Sequence, residues 1–202
     1  MKMSTSRKLD LISVEDYLKG EIQSLIKHEF VGGRVYPLID FTDRHNLIAG
    51  GIVGALAGKL RGFGRRVCNS QTKIRLRLPT EYRFYYPDCS VLCRQNRQDD
   101  CFQDDPAIIF EVISRSTRRT DEGEKKDAYF TIPSLSVYAL VEQESVHVVA
   151  YRRTETGFVS EVFEGTSAVI PLPEIDTELP LAEIYKDVQF APKRIDEREI
   201  PR

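Results

Sequence analysis

Apolar and polar residues repeat with two different periods along this chain, and each period predicts a different kind of element. Apolar residues at three- and four-residue spacing over positions 43–60 predict an amphipathic helix. Alternation with period two over positions 65–93 predicts strands that have one apolar and one basic face. A nearly continuous apolar run over positions 107–113 is typical of a strand at the centre of a sheet.

Turn and capping residues delimit the remaining elements. A Gly-Gly pair within positions 28–36 predicts a hairpin with a two-residue turn, because glycine tolerates the positive φ that such a turn requires. Ser13 is expected to cap a first short helix, and Thr120 is expected to cap a later helix that ends before Pro133. The other expected elements are a polar surface loop at 94–105, strands at 136–143, 146–153 and 158–163, and a short helix at 181–185.

These elements together predict one domain of the α/β or α+β class. A small helical start is followed by a mixed β-sheet, one central helix and a trailing β-meander. The helix at 43–60 keeps four glycines, and each glycine lowers helix propensity by about 1 kcal/mol. We therefore expect this helix to approach a sheet or a partner closely.

Composition narrows the class of protein. Hydrophobic residues make up 41% of the 202 positions, which is enough for a real core and argues against a disordered chain. No run of about 18 apolar residues occurs, so no membrane span is expected. The N-terminal segment lacks the apolar stretch of a signal peptide, which favours a cytoplasmic protein. The four cysteines are expected to be reduced thiols, and their spacing disfavours a structural zinc site.

The charges nearly cancel in total but are unevenly distributed. Lysine and arginine number 29 against 31 aspartates and glutamates, which gives a net charge of −2. Positions 59–83 hold eight bases and one acid, whereas positions 141–188 hold ten acids and three bases. Such asymmetry focuses the electric field on one face, so the small net charge does not exclude a nucleic-acid partner.

Two carboxylates are the strongest candidates for chemistry. Glu111 lies inside the expected central strand, where an ionised carboxylate is costly unless it is paired or bound to a metal. Asp88 follows Pro87 at the start of another expected strand, and adjacent strands can bring the two carboxylates together around a hard divalent cation such as Mg²⁺. The structural alternatives are a turn residue for Asp88 and a salt-bridged buried glutamate for Glu111.

The helix that follows the central strand supplies a candidate positive charge. Lys125, or Lys126 as the second choice, can lie beside the attacking water and stabilise a pentavalent phosphate. Lys125 could equally be a solvated residue that pairs with Asp121 four positions earlier.

Further candidates surround this set. Glu29 in the hairpin is a candidate additional acidic ligand, and His45 at a helix start is a candidate contact to phosphate or to a metal-bound water. The candidate phosphate contacts on the basic strand are Lys73, Arg75 and Arg77. The alternatives are a structural histidine and a solvated strand face.

The order of these motifs resembles the Uma-two family, a group of restriction-endonuclease-like proteins in the PD-(D/E)xK nuclease superfamily. The residues that carry the likeness are Pro87-Asp88, Glu111-Val-Ile-Ser-Arg-Ser-Thr117, Asp121-x-x-Gly-Glu-Lys125-x-x-x-Tyr129 and Pro133-Ser-Leu-x-x-Tyr138. The likeness extends over roughly positions 13–187. It therefore suggests one domain there, with positions 1–12 and 188–202 as flexible termini.

The resemblance implies a restriction-endonuclease-like α/β fold, a mixed sheet flanked by helices, and hydrolysis of DNA phosphodiester bonds. Asp88 and Glu111 would hold Mg²⁺ or Mn²⁺, and Lys125 would polarise the attacking water. The superfamily signature places lysine two residues after the acid, but Ile113 occupies that position here. The lysine is therefore expected on the following helix.

Two other functions remain open at this point. One is a catalytically degenerate nucleic-acid-binding protein on the same fold, since loss of the lysine from its usual position is what such decay would look like. The other is an oligomeric assembly protein. The glycine-rich helix and the trailing meander favour a homodimer, and many nucleases of this superfamily cleave two strands as dimers.

Overall fold

A computed structural model of the chain describes residues 11–39, 41–114 and 117–190. The expected termini therefore lie outside the described residues, apart from positions 11, 12 and 188–190. The helices are α1 (Val14–Gln23), α2 (Asp43–Lys59), α3 (Arg118–Thr120), α4 (Lys126–Phe130) and α5 (Leu181–Ile184). The strands are β1 (His28–Val31), β2 (Arg34–Pro37), β3 (Arg66–Asn69), β4 (Ile74–Arg77), β5 (Tyr82–Tyr85), β6 (Cys89–Leu92), β7 (Pro106–Ile113), β8 (Val137–Glu142), β9 (His147–Thr154), β10 (Gly157–Glu164), β11 (Val169–Leu172) and β12 (Thr177–Pro180).

A small antiparallel sheet carries the N-terminal hairpin. Its strand order is β2-β1-β5-β4, and β1 pairs with β2 across the Gly32-Gly33 turn. The φ angles of these glycines are +53° and +91°, so both lie in the left-handed region that the predicted turn requires. The hairpin prediction is confirmed, and Ser13 caps α1 by accepting a hydrogen bond from the Asp16 backbone N–H at 3.0 Å.

A larger mixed sheet forms the centre of the domain. Its strand order is β10-β9-β8-β7-β6-β3, and β7–β8 is its one parallel pair within the described residues. All eight residues of β7 are buried, which confirms the predicted central strand. Strands β8, β9 and β10 pair consecutively as the predicted meander.

The two faces of β7 belong to different cores. Ile108, Phe110 and Val112 pack in the cluster that contains α2, whereas Ile109 and Ile113 pack in the cluster around the helical segment after β7. Side chains alternate across a strand, so Glu111 lies on the same face as Ile109 and Ile113. This alternation directs the buried carboxylate toward that helical segment.

The helical segment over residues 118–130, which we call the composite helix, differs from the sequence prediction at its start. It consists of α3, a π-helical turn at Asp121–Lys125 and α4. The predicted cap Thr120 is wrong: it lies inside the helix with no capping hydrogen bond from its side chain. Instead, the Ser114 N–H donates to Thr117 Oγ1 at 3.0 Å and the Thr117 N–H donates to Ser114 Oγ at 3.2 Å. This reciprocal pair closes the preceding turn and starts the helix earlier.

Other expectations have mixed outcomes. The 94–105 loop is not wholly at the surface, because Gln103 is buried and exchanges backbone hydrogen bonds with Lys73 and Arg75.

The four cysteines are free thiols, as expected. In the ranges that the structure describes, no helix is long and apolar enough to cross a membrane.

Close packing explains one of the four α2 glycines. A Cβ on Gly51 would lie 2.5 Å from the backbone oxygen of Ile184 in α5. A Cβ on Gly50, Gly54 or Gly58 would meet no described atom within 4 Å. A close approach therefore occurs at Gly51, but it is made to a helix of the same chain and not to the predicted sheet or partner.

Replacing Gly51 by alanine is expected to lower the free energy of unfolding, because the new methyl would overlap the α5 backbone; overpacking of this kind costs about 1–3 kcal/mol. Gly54→Ala on the same helix is the matched control, and its better helix propensity is expected to raise stability by up to about 1 kcal/mol. Urea unfolding followed by circular dichroism measures both. Equal stability of the two variants would contradict the close approach.

Candidate active site

Side chains from four parts of the chain lie around residues 111 and 112 of the central strand. Glu29 comes from β1, Asp88 from the link between β5 and β6, Glu111 from β7 and Lys125 from the composite helix. All four are buried. In the link between β5 and β6 the chain passes from the small sheet to the large sheet, so Asp88 lies between the two sheets.

The ammonium group of Lys125 is surrounded by carboxylates. Its Nζ lies 2.8 Å from Glu29 Oε1, 3.6 Å from Glu111 Oε1 and 3.6 Å from Asp121 Oδ1. A lysine on the helix thus reaches the carboxylate of the strand although Ile113 occupies the usual lysine position. The second choice, Lys126, is directed elsewhere, with Nζ 5.2 Å from the centre of the Tyr151 ring.

Two residues of this cluster were not predicted as site residues. Asp121 pairs with Lys125, and the Tyr129 hydroxyl donates a hydrogen bond to Glu111 Oε1 at 3.2 Å. Tyr129 is fully buried. The sequence already indicated that these residues lie together, because positions 121, 125 and 129 are spaced by four and so share one face of a helix.

Asp88 is held on the other side of the cluster by two groups. Its Oδ2 accepts the Val112 backbone N–H at 2.7 Å and lies 3.1 Å from His45 Nε2. His45 is buried in the first turn of α2, where its N–H donates to the capping Thr42 hydroxyl at 3.1 Å. Its ring packs against Phe41 with centroids 4.8 Å apart, and its Nδ1 has no hydrogen-bond partner among the described residues. Among the described residues, no ion pair within 4.0 Å joins Asp88 to Lys125.

Two clefts reach the cluster from opposite sides. A cleft of about 290 Å³ between the β1–β2 hairpin and the composite helix is lined by Glu29, Asp121 and Lys125. A second cleft of about 220 Å³ beside α2 is lined by His45 and Asp88. Glu29 and Asp121 therefore line one cleft and Asp88 lines the other, whereas Glu111 lines neither.

Lys27 is a further residue near the site that sequence reasoning missed. Its Nζ donates to the Ser70 backbone oxygen at 2.7 Å. Burial lowers the pKa of Lys27, while the charges of Asp88 and Glu29 oppose that shift. It lies immediately before β1, two residues from Glu29.

The basic strand does not converge on the carboxylates. Arg75 makes a two-point ion pair with Asp104 at 2.7 and 2.8 Å, and Arg77 lies 3.4 Å from the same carboxylate. Lys73 is buried beside Tyr17 and Tyr86. The role of these three basic residues as phosphate contacts stays a prediction.

The Uma2 family model, described as "Putative restriction endonuclease", matches residues 14–182. The chain belongs to the Uma2 family. Two relatives come from Synechocystis sp. (strain ATCC 27184 / PCC 6803 / Kazusa). "Uncharacterized protein slr1290" is 28% identical over 188 residues, which cover 93% of this chain and 98% of the relative. "Uncharacterized protein sll1609" is 27% identical over 146 residues, which cover 71% of this chain and 81% of the relative.

A solved structure supports the fold. The crystal structure of "a putative nuclease belonging to DUF820" from Anabaena variabilis ATCC 29413 matches with a TM-score of 0.68 and 17% sequence identity. The match covers 87% of this chain and 98% of that chain. The restriction-endonuclease-like α/β fold is thereby confirmed for this Uma2 member.

Burial and charge set the protonation of the Uma2 cluster. Burial raises the pKa of Glu111 well above its ordinary value, although Lys125 opposes the shift. Burial likewise raises the pKa of Asp121. For Lys125, burial alone would lower the pKa, but Glu111, Glu29 and Asp121 raise it well above its ordinary value. The ammonium therefore stays charged at neutral pH and is outnumbered by carboxylates.

The donor chemistry fits a hard divalent cation in an open site. Carboxylate oxygens are the ligands that Mg²⁺ and Mn²⁺ prefer, and an excess of buried carboxylates favours a cation. Over residues 11–39, 41–114 and 117–190, no group of three or more His, Cys, Asp and Glu side chains is arranged to hold a metal ion. Mg²⁺ is often held by one or two carboxylates, with water and substrate phosphates completing its shell. Asp88 and Glu111 fit that pattern.

Without divalent cations, the free energy of unfolding is expected to fall as the pH rises above about 4.5, the ordinary pKa of glutamate. Because the pKa of Glu111 is raised in the folded state, its contribution to stability is complete below 4.5 and is lost as the pH rises through the folded-state value. Lys125 contributes no slope here, since its contribution is lost only above its ordinary pKa of 10.5.

Glu111→Gln removes this titration and is expected to flatten the slope, leaving the part due to Asp121. Urea unfolding in EDTA, repeated at several pH values around neutrality, measures this slope. Parallel pH profiles for the wild type and Glu111→Gln would refute the buried titration.

Proposed function

We propose that this chain is a divalent-metal-dependent endonuclease that hydrolyses DNA phosphodiester bonds. The observation that carries the proposal is the 3.6 Å approach of Lys125 Nζ to Glu111 Oε1, with Lys125 lining one cleft and Asp88 lining the other. Family membership and the nuclease named in the matching crystal structure support the same class of activity.

Asp88 and Glu111 would hold the cation, Mg²⁺ or Mn²⁺, and Glu29, which pairs with Lys125, would be an additional acidic ligand. A divalent cation bound there would supply Lewis-acid stabilisation of the charge on the phosphate. The Val112 N–H and the His45 ring fix Asp88 Oδ2, so that the carboxylate keeps one orientation. We therefore treat His45 as a positioning residue for Asp88.

Lys125 would act as a fixed positive charge. Its raised pKa keeps the ammonium protonated, so it does not accept a proton from water at neutral pH. It would instead orient the attacking water and stabilise the added negative charge of the pentavalent phosphate. The cleft lined by Lys125 gives that water and the phosphate a path to the ammonium.

The geometry favours catalysis over a degenerate fold. A nuclease that had decayed would be free to lose the contact between the displaced lysine and the strand carboxylate, whereas Lys125 lies within 3.6 Å of Glu111. Homodimer formation, which double-strand cleavage would need, stays a prediction.

The purified protein is expected to nick supercoiled plasmid in Mg²⁺ or Mn²⁺. Asp88→Ala and Glu111→Ala are expected to abolish nicking, because each removes a carboxylate ligand. Lys125→Met is expected to lower the rate about 100-fold or more, as loss of a charge-stabilising donor typically does. Gel electrophoresis of time courses measures all of them.

Lys126→Met is the matched control, since it removes the same charge from the neighbouring residue that lies over Tyr151. Its rate is expected to equal that of the wild type. Nicking that survives both alanine substitutions would overturn the metal site. DNA binding by the wild type without cleavage in either metal would favour the non-catalytic alternative.

A further inference from the structure

Lys73 is a buried lysine without a carboxylate partner. It is 5% exposed, and no ion pair or hydrogen bond of its ammonium group occurs with the described residues. Burial lowers the pKa of Lys73. The charge of Glu21 opposes that shift, but both Glu21 oxygens are already bonded to His28 and the Tyr86 hydroxyl. A buried ammonium in this situation is costly.

Aromatic rings offset part of that cost. The Nζ atom lies 5.4 Å from the centre of the Tyr17 ring and 5.5 Å from that of Tyr86. Cation–π contacts of this kind contribute about 0.5–2 kcal/mol, but they satisfy none of the three N–H donors of the ammonium. The backbone is fixed as well, because the Lys73 carbonyl accepts the Gln103 N–H at 2.8 Å. The charge is therefore held in place while its donors lack acceptors.

A cavity of about 280 Å³ adjoins this lysine. Arg66 lines it from β3, and Gln71 and Gln98 add amide groups that can donate hydrogen bonds. Its one carboxylate among the described lining residues, Asp100, accepts the Arg97 N–H at 3.2 Å. Two cations and three amides (Gln71, Gln98 and Gln103) against one carboxylate make the cavity suited to an anion.

The position of the cavity points to the substrate rather than to an unrelated anion. Tyr86 lines the cavity, and its backbone N–H donates to Glu29 Oε1 at 3.3 Å. One residue thus separates the cavity from the carboxylate cluster. A nucleic-acid strand that presents one phosphate to the cluster has further phosphates spaced along it.

We propose that the cavity around Lys73 is a phosphate-binding pocket that takes a backbone phosphate of the nucleic acid beyond the scissile bond. This inference rests on the proposed function for the identity of the ligand. Lys73 takes this role and Arg75 does not, because the charge of Arg75 is already neutralised by Asp104.

The test is DNA binding in EDTA, where cleavage is blocked, measured by fluorescence anisotropy of a labelled duplex at several salt concentrations. Lys73→Met keeps the apolar stem and removes the charge. It is expected to weaken binding roughly fivefold to tenfold at about 0.1 M salt, and to reduce the slope of log affinity against log salt by about one. Arg66→Met, at an exposed position of the same cavity, is expected to act in the same direction and does not depend on a core substitution.

Lys19→Met is the matched control, because it removes the same charge from an exposed lysine paired with Glu15. Wild-type affinity in both Lys73→Met and Arg66→Met, or an equal loss in Lys19→Met, would overturn the pocket. Calorimetry with inorganic phosphate forms a second arm. Heat of phosphate binding that Lys73→Met loses, with DNA affinity unchanged, would assign the pocket to a free anion and overturn the nucleic-acid assignment.

The pocket and the catalytic proposal fail in different ways. Binding that depends on Lys73 in a protein that never cleaves would refute the endonuclease and leave the pocket standing. Metal-dependent cleavage with unchanged binding in Lys73→Met and Arg66→Met would refute the pocket alone.

Discussion

The buried ammonium of Lys125 is the interaction on which the rest of the site depends. Glu29, Glu111 and Asp121 come from a hairpin, a central strand and a helix, and their charges would repel one another in a medium of low dielectric constant. One cation among them holds the three elements together. Removing one partner of a buried ion pair typically costs about 3–5 kcal/mol, so the cluster supports the fold as well as the proposed chemistry.

The π-helical turn explains how a lysine on a helix can replace one on a strand. Ile113, at the usual lysine position, lies on the same face of β7 as Glu111 and is used as core. The turn at Asp121–Lys125 directs both of its end residues inward, where both are buried. Such single-turn distortions are frequent at functional sites. The long lysine side chain then reaches Glu111 from the packed helix.

Much of the fold could be predicted, but less of the site. The continuous apolar run that identifies β7 also shows that Glu111 is buried, and turn chemistry locates the hairpin that carries Glu29. The contact between His45 and Asp88 needed the start of α2 to lie beside the β5–β6 link, and nothing local in either segment indicates it. The capping prediction at Thr120 failed because the Ser114–Thr117 exchange of hydrogen bonds starts the helix earlier.

By itself, the sequence determined most of the secondary structure, the central place of β7 and the burial of Glu111, because periodicity and turn residues are local properties. Only the tertiary structure decided which charges are paired. Lys73 and Arg75 share one face of the basic strand by sequence, yet Asp104 neutralises Arg75 from a distant loop position while the ammonium of Lys73 is buried beside two aromatic rings. Pairing and burial depend on groups that are far apart along the chain, so the spacing of residues does not specify them.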